Sequence, residues 1–133
     1  MRVVLDSNVL VSALVGHGAP RRLLISLLRE HVIVSSVHLL AELEDVLARK
    51  FQFSDGQIER IISLIVSESH LVEVKDVPKV VVEDPYDDLV LASAVEGESD
   101  FIVTGDRHLL RLREYGDIRI VTVREMLTLL KRG

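Results

Sequence analysis

Arg2-Val3-Val4-Leu5-Asp6-Ser7-Asn8 decides the fold. Three aliphatic residues end abruptly in a carboxylate, a hydroxyl and an amide. A short apolar run bounded by polar residues reads as a buried strand of a parallel sheet. In open α/β sheets, chemistry gathers beyond the carboxyl ends of strands, at the topological switch point. Asp6 stands at such an end with no basic residue beside it. It is therefore the first candidate ligand of a metal site, although an Asx-turn over Asn8 would also account for it.

Outward from that strand, apolar periodicity switches repeatedly between strand and helix. Val9–Val15 reads as a short apolar turn and Gly16-His17-Gly18 as a loop, with Pro20 at the first position of a helix carrying Leu23, Leu24, Leu27 and Leu28. Val32-Ile33-Val34 is the second strand, and Ser35-Ser36 cap a helix striped by Leu40, Leu43 and Leu47. Ser54…Gln57 has capping-box spacing for a helix to about His70, followed by a strand over Leu71–Val74. A polar loop with Pro78 leads to Val80-Val81-Val82. Asp84-Pro85 then opens a helix through Glu96, closed by Gly97. Phe101-Ile102-Val103 is the fourth strand, Arg107–Glu114 a short helix, Ile118–Val121 the fifth strand, and Thr122…Glu125 the capping box of the last helix. Strands alternating with helices predict an α/β class, a three-layer α/β/α arrangement around a parallel sheet of about five strands, in one domain over residues 1–133.

The 133 residues carry a net charge of −5, which argues against a general basic nucleic-acid binder. The excess is local. Residues 1–66 hold seven acids and seven bases, whereas residues 67–133 hold fourteen acids and nine bases. Between Lys79 and Arg107 there are eight acids and no Lys or Arg, a block that stays solvated or binds cations. With no cysteine, disulfides and thiolate metal sites are excluded. No apolar run approaches the ~18 residues of a membrane span and nothing reads as a secretory leader, so a cytoplasmic location without membrane association is expected. A hydrophobic content of 48% and a mean hydropathy of +0.31 suggest a surface covered by a partner or second copy. The stripe Ile58, Ile61, Ile62 and Ile65 is the candidate for that contact.

Four acids stand out. Asp6 and Asp106 each follow a strand, and Asp106 would also serve as a helix N-cap. Glu42 lies on a helix between apolar Leu39 and Val46, where an unpaired carboxylate is unfavourable. Asp88 shares a helical face with Leu91, Ala92 and Val95. Asp84 and Asp87 read as N-cap and first-turn acid, but that helix is apolar nearly all round, so periodicity alone does not choose between Asp87 and Asp88. Clustered carboxylates without cationic partners repel one another, and a divalent cation removes that repulsion. Hard oxygen donors suit Mg²⁺ or Mn²⁺, which bind phosphate oxygens and acidify water.

Val3-Val4-Leu5-Asp6-Ser7-Asn8-Val9, Ser36 through Glu42-Leu43, Asp84-Pro85-Tyr86-Asp87-Asp88 with Leu91-Ala92 and Ala94, and Thr104-Gly105-Asp106 with Leu109-Leu110 together resemble the PIN-domain nucleases. The resemblance is strongest to prokaryotic toxin components related to VapC-type toxins, and it covers nearly the whole chain. It implies a sheet order of 3-2-1-4-5, and a catalytic and metal-binding set of Asp6, Glu42, Asp88 and Asp106, its spacing favouring Asp88 over Asp87. It further implies one or two Mg²⁺ or Mn²⁺ ions, cleavage of RNA leaving a 5′-phosphate, homodimerisation, and inhibition by a small antitoxin.

Around these acids, Asn8 and Thr104 are expected to orient ligands or water. Arg107 and His108, and less directly Arg21, Arg22 and Arg111, are candidate phosphate contacts. His17, His31, His38 and His70 lack metal spacing. Aromatic residues make up only 4%, so recognition would lean on phosphate and shape rather than stacking. Rival chemistries fit less well. A haloacid-dehalogenase-type phosphatase needs an acid two residues after Asp6, where Asn8 stands. A dinucleotide site needs its third glycine where Arg21 stands. A receiver domain needs a Lys after the fifth strand, and Lys131 comes too late. An RNA-processing nuclease, or a non-catalytic binding module on the same fold, remains the alternative.

Overall fold

The computed structural model describes residues 1–81 and 83–132, so Val82, the end of the Val80–Val82 run, and Gly133 lie outside the described residues. β1 (Arg2–Leu5) is the central strand, paired in parallel on one side with β2 (Val32–Ser36) and on the other with β4 (Phe101–Val103). β3 (Ser69–Val72) extends the sheet beyond β2, and β6 (Ile118–Val121) extends it beyond β4. Strand alternation splits the core in two. Val3, Leu5, Ile33, Phe101, Val103 and Val121 face one apolar cluster, and Val4, Val34, Ile102 and Ile120 face the other. The helices α1 (Ser7–Val15), α2 (Ala19–Glu30), α3 (Val37–Phe51), α4 (Asp55–Glu68) and α7 (Val123–Arg132) contribute to the first cluster. α5 (Pro85–Glu96) and α6 (Arg107–Leu110) contribute to the second. A strand buried on both faces explains why its sequence is a continuous apolar run.

The order β3-β2-β1-β4-β6-β5 contains the expected arrangement plus one strand the sequence reading lacked. β5 (Glu114–Tyr115) lies at the edge, antiparallel to β6, through a tight turn whose first residue, Gly116, has φ +60°. The sheet is therefore mixed, and α6 ends after one turn instead of reaching Glu114. The backbone reverses at Arg113, with φ 62°, which halts a helix there.

Two further expectations are corrected. Val9–Val15 is not a turn but most of α1, whose first turn is bonded through Val9 N to Asp6 O at 3.0 Å and Leu10 N to Asp6 O at 3.1 Å. A helix apolar on nearly every side gives no amphipathic period to read. β3 begins at Ser69 rather than Leu71, because pairing with β2 starts at Ile33↔Ser69. The α4 stripe is committed to the core: Ile58 and Ile65 are buried, and Ile61 and Ile62 pack against the same cluster. Only the partly buried Ile61 and Ile62 keep some exposed surface. Among the described residues no helix is long and apolar enough to cross a membrane.

Short contacts hold the sheet at both ends of its strands. Gly97, closing α5, presses on Val34 of β2 so closely that a Cβ would collide with that side chain. Leu5↔Val103 pairing, with Asp6 N bonded to Val103 O at 3.0 Å, makes β1 and β4 end side by side. Asp6 and the segment Thr104-Gly105-Asp106 therefore leave the sheet together, at the switch point.

Candidate metal centre

Asp6 is buried immediately beyond β1, and its carboxylate is fixed from two sides. Thr104 Oγ1 donates to Asp6 Oδ2 at 2.7 Å and itself accepts from Asp106 N at 3.0 Å. The Tyr86 hydroxyl lies 2.8 Å from Ser7 Oγ and 3.3 Å from Asp6 Oδ1, and accepts from the Ser7 N–H at 3.3 Å. Burial raises the Asp6 carboxyl above its usual range against the pull of Thr104, the Asn8 backbone N–H and Tyr86, and the charge of Asp106 adds to the rise. Asn8 thus approaches Asp6 through its backbone, while its exposed side chain borders a groove with Thr104, Gly105 and Pro20.

The third acid is where the structure departs from the sequence reading. Asp88 is buried but turned away from the cluster: its Oδ1 accepts from Val80 N at 3.0 Å and Val81 N at 2.8 Å, pinning the preceding loop onto α5. Asp87 takes the place expected of it. It is 1% exposed, and neither carboxylate oxygen has a hydrogen-bond partner among the described residues. The reason lies in which stripe of α5 faces the sheet. Val90, Leu91 and Ala94 are fully buried, and these are three, four and seven residues beyond Asp87. Val95, seven beyond Asp88, is 50% exposed. Burial pushes the Asp87 carboxyl up to about 7, reinforced by the charges of Asp106, Asp84 and Asp6.

Asp106 combines its two expected roles. As N-cap of α6 its Oδ1 accepts from His108 N at 2.7 Å, and His108 Nδ1 lies 3.4 Å from the same oxygen. Asp87, Asp106 and His108 offer ligand atoms all within 4.8 Å of one another, a spacing one cation can bridge. Glu42, half-buried on α3, lies outside that trio; the Tyr86 phenol is raised chiefly by burial, then by the charge of Asp6, with Glu42 adding least. The end of β2, where Ser36 caps α3, is tied to α5 by the buried Ser36–Ser93 hydroxyl pair at 2.8 Å. Arg107, Arg111 and Arg113 line an open groove with His108, and Arg111 sits 3.9 Å from Glu83. Arg21, the less direct of the candidate phosphate contacts, is engaged at the end of α1, where its guanidinium donates to Ala13 O and Leu14 O at 3.0 Å.

A family model described as PIN domain matches residues 2–108, a span holding every acid of the cluster. The chain belongs to the PIN-domain family. No curated protein matches this PIN domain in sequence. Its fold is similar to solved structures of VapBC2 from Rickettsia felis bound to a promoter DNA fragment (TM-score 0.66, 15% identity, 92% of this chain and 98% of that one). It is similar also to VapBC-1 from nontypeable Haemophilus influenzae (TM-score 0.64, 16% identity, 93% and 99%). A third likeness is to FitAcB from Neisseria gonorrhoeae (TM-score 0.59, 14% identity, 92% and 98%). At such identities the likeness is one of fold.

Two residues that the sequence reading did not place in the cluster stand beside its acids in the structure: Asp87, set aside as a first-turn acid, and Tyr86. The signal for Asp87 was the Val90, Leu91, Ala94 stripe. Tyr86 carries none, since a Tyr at a helix start is ordinary. Because Thr104 bonds both Asp6 and Asp106, Thr104→Val should lower stability by about 1–3 kcal/mol and weaken Mn²⁺ affinity about 10–100-fold. Urea unfolding and a Mn²⁺ titration of the same variant would measure both.

Proposed function

We propose that this PIN domain is a divalent-metal-dependent endoribonuclease, acting in the cytoplasm as the toxin component of a toxin–antitoxin pair. The observation that carries the reading is the pair of buried Asp87 oxygens without partners, set against Asp106 and near Asp6. A desolvated carboxylate left unpaired is strongly unfavourable, and a cation is the partner that three acids share. The donor set fits Mg²⁺ or Mn²⁺: oxygens throughout, with one imidazole adjacent. Asp6, Asp87 and Asp106 would hold one or two ions, with Glu42 completing the set.

A bound cation would supply positive charge for phosphate oxygens and a water acidified for attack on phosphorus. The chain's own residues do the positioning. Thr104 and Tyr86 hold Asp6 in one orientation, and the α5 stripe holds Asp87 at the sheet edge. Arg107, Arg111 and Arg113 offer the adjoining groove to an RNA backbone. Homodimerisation rests on the family resemblance alone; a small antitoxin partner rests on it too, and the VapBC and FitAcB structures of similar fold support that partner.

Purified protein incubated with total RNA, with and without Mn²⁺, should cut only when the cation is present and should leave 5′-phosphate ends. Asp6→Asn should abolish the cuts. Absence of any cation-dependent cutting, or equal cutting by Asp6→Asn, would overturn the proposal.

A further inference from the structure

From the geometry around Asp106 we infer that His108 is a cation ligand, so that the centre carries one nitrogen donor and prefers Mn²⁺ over Mg²⁺. The inference rests on the reading that Asp87 and Asp106 hold the cation. It departs from a phosphate-contact role for His108. Asp106 captures the backbone N–H of His108 at 2.7 Å while Nδ1 stands 3.4 Å from the same oxygen, so the imidazole is drawn over the carboxylate. Leu109, the next residue, is fully buried and anchors this one-turn helix, which fixes the backbone from which the ring projects.

An ion pair between His108 and Asp106 would account for those two side chains alone. It would leave both oxygens of Asp87 buried without an N–H or O–H donor, their one close polar neighbour being the carboxyl of Asp106, although Asp87 belongs to the same group of ligand atoms within 4.8 Å. A cation among the three satisfies every member at once. The imidazole side chain is 40% exposed, which leaves an approach for the ion and its remaining waters.

The selectivity follows from ligand chemistry. Mg²⁺ is a hard ion that takes oxygen and keeps its waters. Mn²⁺ is the weakest binder of the first-row series and shares the liking of Mg²⁺ for carboxylate oxygen, but as a transition ion it accepts one imidazole nitrogen more readily than Mg²⁺ does. Carboxylates alone would accept Mg²⁺ and Mn²⁺ on similar terms. One imidazole strengthens Mn²⁺ and leaves Mg²⁺ nearly untouched.

The test is Mn²⁺ binding followed by electron paramagnetic resonance, with Mg²⁺ as competitor, in the wild type, His108→Ala, His108→Gln and Asp87→Asn. Nitrogen modulation of the Mn²⁺ signal is expected in the wild type and absent from both His108 variants. Mn²⁺ affinity should fall about tenfold in His108→Ala, with Mg²⁺ affinity changed less than about twofold. Both substitutions keep the backbone N–H that Asp106 caps. If His108→Ala fails to fold, the wild-type modulation and His108→Gln decide the matter. Mn²⁺ binding that is lost in Asp87→Asn but unchanged in His108→Ala, without nitrogen modulation, would overturn the role of His108 and leave the carboxylate centre standing. A wild type that binds no Mn²⁺ would overturn both.

Discussion

Asp87→Asn is expected to lower cation-dependent RNA cleavage about a thousandfold, while Asp88→Asn stays within a few-fold of wild type. The two residues are adjacent, acidic and buried, yet only Asp87 has both oxygens buried without a donor, whereas Asp88 commits Oδ1 to the backbone. Asp87 has no partner to lose, so replacing one oxygen by an amide removes a negative charge and a ligand atom without breaking a hydrogen bond. Asp88 spends Oδ1 on two backbone donors, Val80 N and Val81 N, and Asn retains that oxygen. Asp88→Ala is different in kind. It strands two backbone N–H groups and should lower stability by about 2–4 kcal/mol, with cleavage falling only as far as the folded fraction does. Initial cleavage rates at fixed Mn²⁺, read beside urea unfolding of each variant, separate the effects. An inactive Asp88→Asn with an active Asp87→Asn would reverse the assignment.

The cation-free protein should lose stability as pH rises from about 4 to about 7. Asp87 is raised from 3.8 to about 7 in the folded chain. Across that window the unfolded chain has released its proton and the folded chain retains it, so rising pH favours unfolding. The contribution is absent below 3.8 and complete above 7. Each pH unit is worth about 1.4 kcal/mol, and with solvent screening on the open side of the cluster the total comes to about 2–4 kcal/mol. Asp6, also raised by burial, acts in the same direction. Glu125 and Asp45 are lowered by their partners and act oppositely, but both are on the surface, where such pairs count for little. Urea unfolding in EDTA at successive pH values should show the decline, Asp87→Asn should flatten it, and saturating Mn²⁺ should cancel it. A decline of the same size in Asp87→Asn would assign it to other groups.

Much of this was legible in the chain because burial writes itself into sequence. Val3-Val4-Leu5 and Phe101-Ile102-Val103 are apolar without alternation because helices cover both faces of the sheet, and that pattern placed Asp6 and Asp106 at strand ends. Capping chemistry was equally legible: Ser54 with Gln57 and Thr122 with Glu125 form both reciprocal bonds of their capping boxes. What escaped was whatever periodicity does not encode. α1 is too uniformly apolar to show a period. β5 is only two residues long and owes its pairing to the turn at Gly116. In α5 every rotation offers apolar residues, so periodicity chose neither acid, and the preference for Asp88 came from the spacing to Leu91 and Ala92 that the PIN resemblance implies; both of those residues are buried, but so are Val90 and Ala94, while Val95 is half exposed. The stripe through Val90, Leu91 and Ala94 was present in the same twelve residues, but only docking against the sheet distinguishes it from its neighbour.

The most direct measurement is a crystal soaked in Mn²⁺ with anomalous scattering recorded at the manganese edge. A peak among the carboxylates of Asp6, Asp87 and Asp106, missing in the Asp87→Asn crystal, is the expected result. A peak on Asp84 or Asp88, or no peak anywhere at the ends of β1 and β4, would contradict the assignment of this cluster as the metal centre.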